Sequence, residues 1–328
     1  MMRKVILDCD PGNGFPGADI DDGLALGLVL KSAELQLEAV TVVAGNTPLE
    51  KGVQSGLTML HKAGSSAPLY AGASKPLVEN DAPWRAELDG RGMRAPGSTF
   101  WSGTKVPFSK RTASEGSAAQ AIVRIVNNSP GEITVIAVGP LTNIAQAFMM
   151  DSMLPRKIAA LYIMGGGFGV AHYPQELNFG FDPEAARIVL TSGAAIVLVP
   201  LDTTLKTFFR PQDNERLKNS PDPFISFLGD TCEPWIDYVC HTRNREGCAL
   251  HDPLAVAALL DPTLVTCQTV SVDVELSGRL TRGRPVSWIA GGTAMSQGLV
   301  LPKLDPIQVA VDVDNARFVS MLMGRLLT

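Results

Sequence analysis

A basic excess is missing from this chain. Its 328 residues carry 28 Lys and Arg against 33 Asp and Glu, a formal net charge of −5 at pH 7. A protein that reads the phosphate backbone ordinarily shows the opposite balance, so nucleic acid is not an expected partner. Long apolar runs are also missing: no stretch approaches the ~20 residues of a spanning helix. The run Val5-Ile6-Leu7 behind Met1-Met2-Arg3-Lys4 is too short for a signal peptide. Neither a membrane nor export is expected. The five cysteines, Cys9, Cys232, Cys240, Cys248 and Cys267, are odd in number and scattered, which argues against a disulfide framework and suits a reducing, cytoplasmic setting. Cys232, Cys240, Cys248 and His241 have neither CxxC nor finger spacing, which argues against zinc. Internal repeats, low-complexity tracts and a Pro/Ser/Gly linker are absent as well, so residues 1–328 read as a single domain.

What is present is strand alternating with helix. Val5-Ile6-Leu7 is a β-branched apolar run ending in a Gly/Pro loop, the mark of a buried parallel strand. Asp21 and Asp22 give the following helix an acidic first turn, which suits its positive N-terminus. Further strands are expected at Leu37–Ala44, Ile133–Val138, Ile158–Met164 and Ala195–Leu201, and an edge strand at Val270–Leu276. Helices are expected at about Pro48–His61, from Ser114-Glu115 to Val126, and at Asn143–Met149, Pro183–Leu190 and Ala316–Leu327. Residues 74–112 read as a long loop and 211–247 as mainly helical. This order predicts an α/β fold, a single doubly wound, Rossmann-like, mostly parallel sheet with helices on both faces.

In such a sheet ligands bind beyond the carboxyl ends of the strands. The first strand ends in Asp8-Cys9-Asp10-Pro11-Gly12, and Asp19, Asp21 and Asp22 close the loop that follows. Carboxylates crowded in this way repel one another unless a cation lies between them, and aspartate oxygens suit Ca²⁺ or Mg²⁺. Helix capping by these residues is the competing structural reading. Val138-Gly139-Pro140-Leu141-Thr142-Asn143 and Glu176-Leu177-Asn178-Phe179 belong to the same rim. Glu and Asn two apart on extended chain share a side and suit a pair of vicinal hydroxyls. His251-Asp252-Pro253 opens a further helix. A Walker loop is absent, and Pro11-Gly12 replaces the hydroxyl residue an aspartate-nucleophile phosphatase needs after its second Asp.

Together these blocks resemble the inosine-uridine preferring nucleoside hydrolase family over nearly the whole chain. Asp8-Cys9-Asp10-Pro11-Gly12 and Asp21-Asp22-Gly23-Leu24-Ala25-Leu26 match the two ends of its hallmark. Val42-Val43-Ala44-Gly45-Asn46, Val138 to Ala145, Met164-Gly165-Gly166-Gly167, Glu176 to Ala186 and His251-Asp252-Pro253 follow in family order. The resemblance implies an N-glycosidase that hydrolyses ribonucleosides, purine or pyrimidine, to ribose and free base with one bound Ca²⁺. It makes Asp10, Asp22 and Asp252 the carboxylate ligands and Val138 a backbone carbonyl ligand. Asp10 would also be the general base toward a metal-bound water, through an oxocarbenium-like state, and His251 would help the base leave. Asp21, Asn46, Met164, Glu176 and Asn178 match substrate-binding positions, and Trp84 matches a base-stacking one. A homodimer or homotetramer is implied.

The chain departs from the family in two places. Asn13-Gly14-Phe15-Pro16-Gly17-Ala18-Asp19-Ile20 stands where the usual motif has a single residue, so Asp19 or Asn13 is placed to enter the site. A His-Gly pair common near residues 80–100 of broad-specificity members is missing: Trp84-Arg85 resembles purine-preferring members, while His251 resembles broad or pyrimidine-using ones. Trp84, Trp101, Trp235 and Tyr238 are the candidates for base stacking. The competing readings are a catalytically silent nucleoside-binding protein whose inserted loop blocks the crevice, and a hydrolase of a modified nucleoside.

Overall fold

The structure is a computed structural model describing residues 2–103, 106–171, 173–289 and 301–328. Nine strands form its sheet among these residues: β1 (Arg3–Cys9), β2 (Leu35–Val42), β3 (Leu69–Ala71), β4 (Ile133–Ala137), β5 (Ala160–Met164), β6 (Ile196–Val199), β7 (Val265–Val274), β8 (Pro285–Trp288) and β9 (Ile307–Val313). Their order is β3-β2-β1-β4-β5-β6-β9-β7-β8. The pairs from β3 through β9 are parallel, and β7 and β8 then run antiparallel. The first six reproduce the doubly wound order, whose switch point lies between β1 and β4.

Alternation along each strand sends side chains into two cores. Val5, Leu7 and Cys9 of β1 join Ile136 of β4 and Met164 of β5 in one core, with the helices Asp21–Leu30, Asp252–Leu260 and Asn315–Leu326. Ile6, Val135 and Ile163 point the other way, into a core with the helices Ala118–Asn128, Thr142–Met150 and Pro183–Leu190. Helices therefore cover both faces, as the alternation predicted. No helix among the described residues is long and apolar enough to cross a membrane.

Three local readings change. Val270–Leu276 is not an edge: β7 lies between β9 and β8, and the short β8 is the outer strand. An inner antiparallel strand with one solvated face alternates in the same way as an edge strand. Residues 74–112 contain a helix, Ala82–Arg91, that buries only Leu88 and so carries no apolar stripe to announce it. The helix expected from Ser114-Glu115 begins at Ala118, where Ser117 caps it through Gln120 in a reciprocal capping box.

Candidate active site

Four chain crossings deliver the polar rim to the carboxyl ends of β1, β2, β4 and β5. Asp10 follows β1, and its backbone N–H donates to Asp22 Oδ1 (2.9 Å). Its own Oδ2 accepts the Asn46 N–H (2.5 Å) from the turn after β2. Glycines make room for this carboxylate. A Cβ on Gly45 would stand 2.0 Å from Asp10 Oδ2, and one on Gly139 would stand 3.0 Å from Oδ1.

Asp21 lies in the first turn of its helix, and its Oδ2 accepts the N–H groups of His251 (2.8 Å) and Asp252 (3.0 Å). One carboxylate thus ties the β1 loop to the start of the distant helix Asp252–Leu260. Oxygens of Asp21, Asp22 and Asp252 all lie within 4.8 Å of one another. Beside them Asn178 Nδ2 donates to the carbonyls of Val138 (2.8 Å) and Met164 (3.1 Å). Glu176 holds the same corner: its carboxylate accepts the N–H groups of Gly166, Asn178 and Phe179.

Burial pushes every carboxyl of this nest upward. Asp10 and Asp19 rise to about 7, and Asp22 and Asp252 rise well above the carboxylate range because burial is compounded by the charges of Asp10, Asp19 and Asp21. The arrangement is short of positive charge, and its donors are all oxygen, the set a hard divalent cation takes. His251 moves the other way. Burial lowers it to about 4, so the ring is neutral near pH 7, and its Nδ1 lies 2.7 Å from the Thr204 hydroxyl.

The rim surrounds a cavity of ≈ 200 Å³, several times the ~30 Å³ share of one water. Asp10, Asp22, Val138 and Asp252 line it, as do Asp21, Asn46, Met164, Glu176, Asn178, Trp84 and His251. The structure therefore brings these sequence-predicted residues to one place. The inserted residues 13–20 form part of the wall, with Asp19 facing the cavity, and do not close the crevice. Asn13 turns away, its Nδ2 donating to Thr231 Oγ1 (3.1 Å). Both polar ends of the Asn46 side chain bond the Asp19 backbone, at 3.0 Å each, which leaves one N–H and one lone pair for a ligand.

Trp84 and Trp235 line the cavity, whereas Trp101 and Tyr238 pack against Trp235 with centroids 6.5 and 5.6 Å from its ring. Arg91, Tyr173, Gln175 and Arg243 also line it, and sequence reasoning did not find them. The guanidiniums of Arg91 and Arg243 stand 5.3 and 5.6 Å from the Trp235 ring centroid. Trp235 and Arg243 share a face two turns apart on the helix Pro223–Arg243, whereas Arg91 meets them only through the fold. Thr204 was missed for the same reason.

An oxygen-lined nest at the switch point of a doubly wound sheet, opening into a cavity walled by aromatic rings, defines a small-molecule enzyme of the doubly wound α/β class with a place for a hard cation. The model of the inosine-uridine preferring nucleoside hydrolase family matches residues 5–320, and the chain belongs to that family. It is accordingly an N-glycosidase acting on ribonucleosides. A pyrimidine-specific ribonucleoside hydrolase, RihA, from Citrobacter koseri is 32% identical, with 99% of this chain and 98% of the relative covered. Among solved structures, a plant nucleoside hydrolase, the PpNRh1 enzyme, superposes with a TM-score of 0.86 at 31% identity, all of both chains being covered. A purine-preferring ribonucleoside hydrolase from Gardnerella vaginalis gives 0.82 at 30% identity, covering 99% of this chain and 98% of the other.

Proposed function

We propose that the chain, acting as one domain, hydrolyses the N-glycosidic bond of ribonucleosides of either base class, with one Ca²⁺ held by Asp10, Asp22, Asp252 and the Val138 carbonyl. The observation that carries this reading is the convergence of buried, oxygen-only donors with raised carboxyl pKa values at the floor of the cavity. A cation bound there would orient the sugar's hydroxyl pair and acidify a neighbouring water.

The chain's own residues supply the rest. Asp21, Asn46, Met164, Glu176 and Asn178 surround the sugar, and leaving a buried polar group among them unpaired costs about 1–3 kcal/mol, which disfavours a 2′-deoxyribose. Asp10 accepts the proton of the attacking water, and its carboxylate is held in place for this by the Asn46 N–H. Positive charge growing on the ring faces the carboxylates. His251 helps the base leave. The Thr204 hydroxyl lies against Nδ1, which leaves Nε2 as the nitrogen for a ligand, and this role requires the tautomer with the ring proton on Nε2. Trp84 and Trp235 offer faces for the base. Assembly as a homodimer or homotetramer in the cytoplasm completes the reading, and Met149, Met150 and Met153, each more than half exposed, offer an apolar surface for it.

Ribose release from inosine, adenosine, guanosine, uridine and cytidine, with and without prior chelation of calcium, tests the proposal. Chelator-sensitive release is expected. No release by folded, Ca²⁺-loaded protein would replace catalysis of these substrates with nucleoside binding alone or with a modified substrate.

A further inference from the structure

The inserted residues 13–20 are built firmly into the wall. Phe15 stacks on Phe108 with centroids 4.6 Å apart, and Ser55 Oγ donates to the Asn13 carbonyl (3.0 Å). Gly17 approaches Gly92 so closely that a Cβ would stand 2.3 Å from the Gly92 nitrogen, and its φ of +83° favours glycine as well. Asn46 grips the Asp19 backbone from both sides, fixing where its carboxylate points.

That carboxylate is not used up by the loop. Oδ1 accepts the Ile20 N–H (2.8 Å), and a carboxylate has about four lone-pair sites. Asp19 lines the main cavity and also a smaller chamber beside it, and Trp235, Arg243 and His251 line both. His251 marks the end where the base leaves, so Asp19 belongs to that end. We propose that Asp19 is a specificity-determining residue that accepts a hydrogen bond from a ring N–H of the nucleobase, while the donor-only guanidiniums of Arg91 and Arg243 face the acceptors of the same base. An ionised carboxylate only accepts and a guanidinium only donates, so the wall reads the base edge by complementarity.

This rests on the placement of ribose at the cation site and base toward His251 given above. The test compares kcat/KM for uridine and 3-methyluridine, in which a methyl group replaces the ring N–H, in wild type and in Asp19→Asn at about pH 8. The wild type is expected to prefer uridine by about tenfold or more, as a site loses when its buried polar group is left unpaired, and Asp19→Asn should shrink that ratio severalfold. Inosine and 1-methylinosine repeat the comparison on a purine. Taking the ratio removes any general loss from a disturbed loop, because such a loss lowers both substrates together. An unchanged ratio in Asp19→Asn, or no preference in the wild type, overturns the inference. Failure of the underlying placement shows separately, as turnover that chelation does not affect.

Discussion

A histidine held neutral by burial is an unusual proton donor, and this decides how His251 should behave. Its pKa, lowered to about 4, leaves no imidazolium at neutral pH, so in the proposed reaction the ring would help the base by a hydrogen bond from its N–H, since full proton transfer from a neutral ring would leave an imidazolate. Such a donor matters most when the leaving group is poor. His251→Ala should therefore cut kcat/KM on inosine or uridine by the 10²–10⁴-fold typical of acid–base catalysis, and should cut it much less on an aryl riboside whose phenolate leaves unaided. Equal losses on both substrates would sink the acid role. Residues of this kind were legible in the sequence where they ride on short motifs: Asp10, Asp22 and Asn178 follow strands β1 and β5, His251 stands directly before a helix, and all four meet in one cavity. Asp19 was legible as a candidate because it lies in the inserted stretch. Arg91, Arg243 and Thr204 were not, because an arginine at the last residue of its helix, or a threonine in a four-residue helix, carries no periodic mark. Arg91 and Thr204 come together only once the 112 residues between them have folded.

The elements that place these residues are turns more than helices or strands, and glycine sets how close they can come. Gly45 ends the turn after β2, and a Cβ there would meet Asp10 Oδ2 at 2.0 Å and Pro140 at 2.5 Å. Neither neighbour can yield freely, since Asp10 is buried and held by Asn46 while Pro140 is rigid. Gly45→Ala should therefore displace the Asp10 carboxylate. Misplacement of this size costs on the order of 10² in rate. Far-ultraviolet circular dichroism should stay that of the wild type while kcat falls; undiminished turnover would show that the turn relaxes without moving Asp10. At this scale the sequence announced the parallel half of the sheet well, since β1, β4, β5 and β6 are apolar runs between helices. β3 has three residues, too few for any pattern, and β8 has four. β9, Ile-Gln-Val-Ala-Val-Asp-Val, does alternate and could have been read as a strand, although its parallel pairing with β6 could not.

For the whole molecule, the acidic nest is a liability that a bound cation would remove, and the sign of the resulting pH dependence follows from the raised pKa values. Asp10, Asp22 and Asp252 hold protons in the cation-free fold at pH values where the unfolded chain has released them. The folded state then binds more protons, so stability falls as pH rises from near 4 to beyond the value of about 7 reached by Asp10. A cation competes with those protons for the same oxygens, and it binds best once they have left. Its stabilisation should therefore grow with pH, opposite to the trend of the cation-free protein. At a hundred times Kd, ligand binding contributes about 2.7 kcal/mol; at roughly 2 °C per kcal/mol for a chain of this size, Ca²⁺ should raise Tm by about 5 °C near pH 8. The rise should shrink toward zero by about pH 5, where protons hold the nest. Differential scanning calorimetry of calcium-loaded and chelated protein across this range reads both trends. A Tm gain that is constant with pH, or greatest in acid, would place the cation away from these carboxylates.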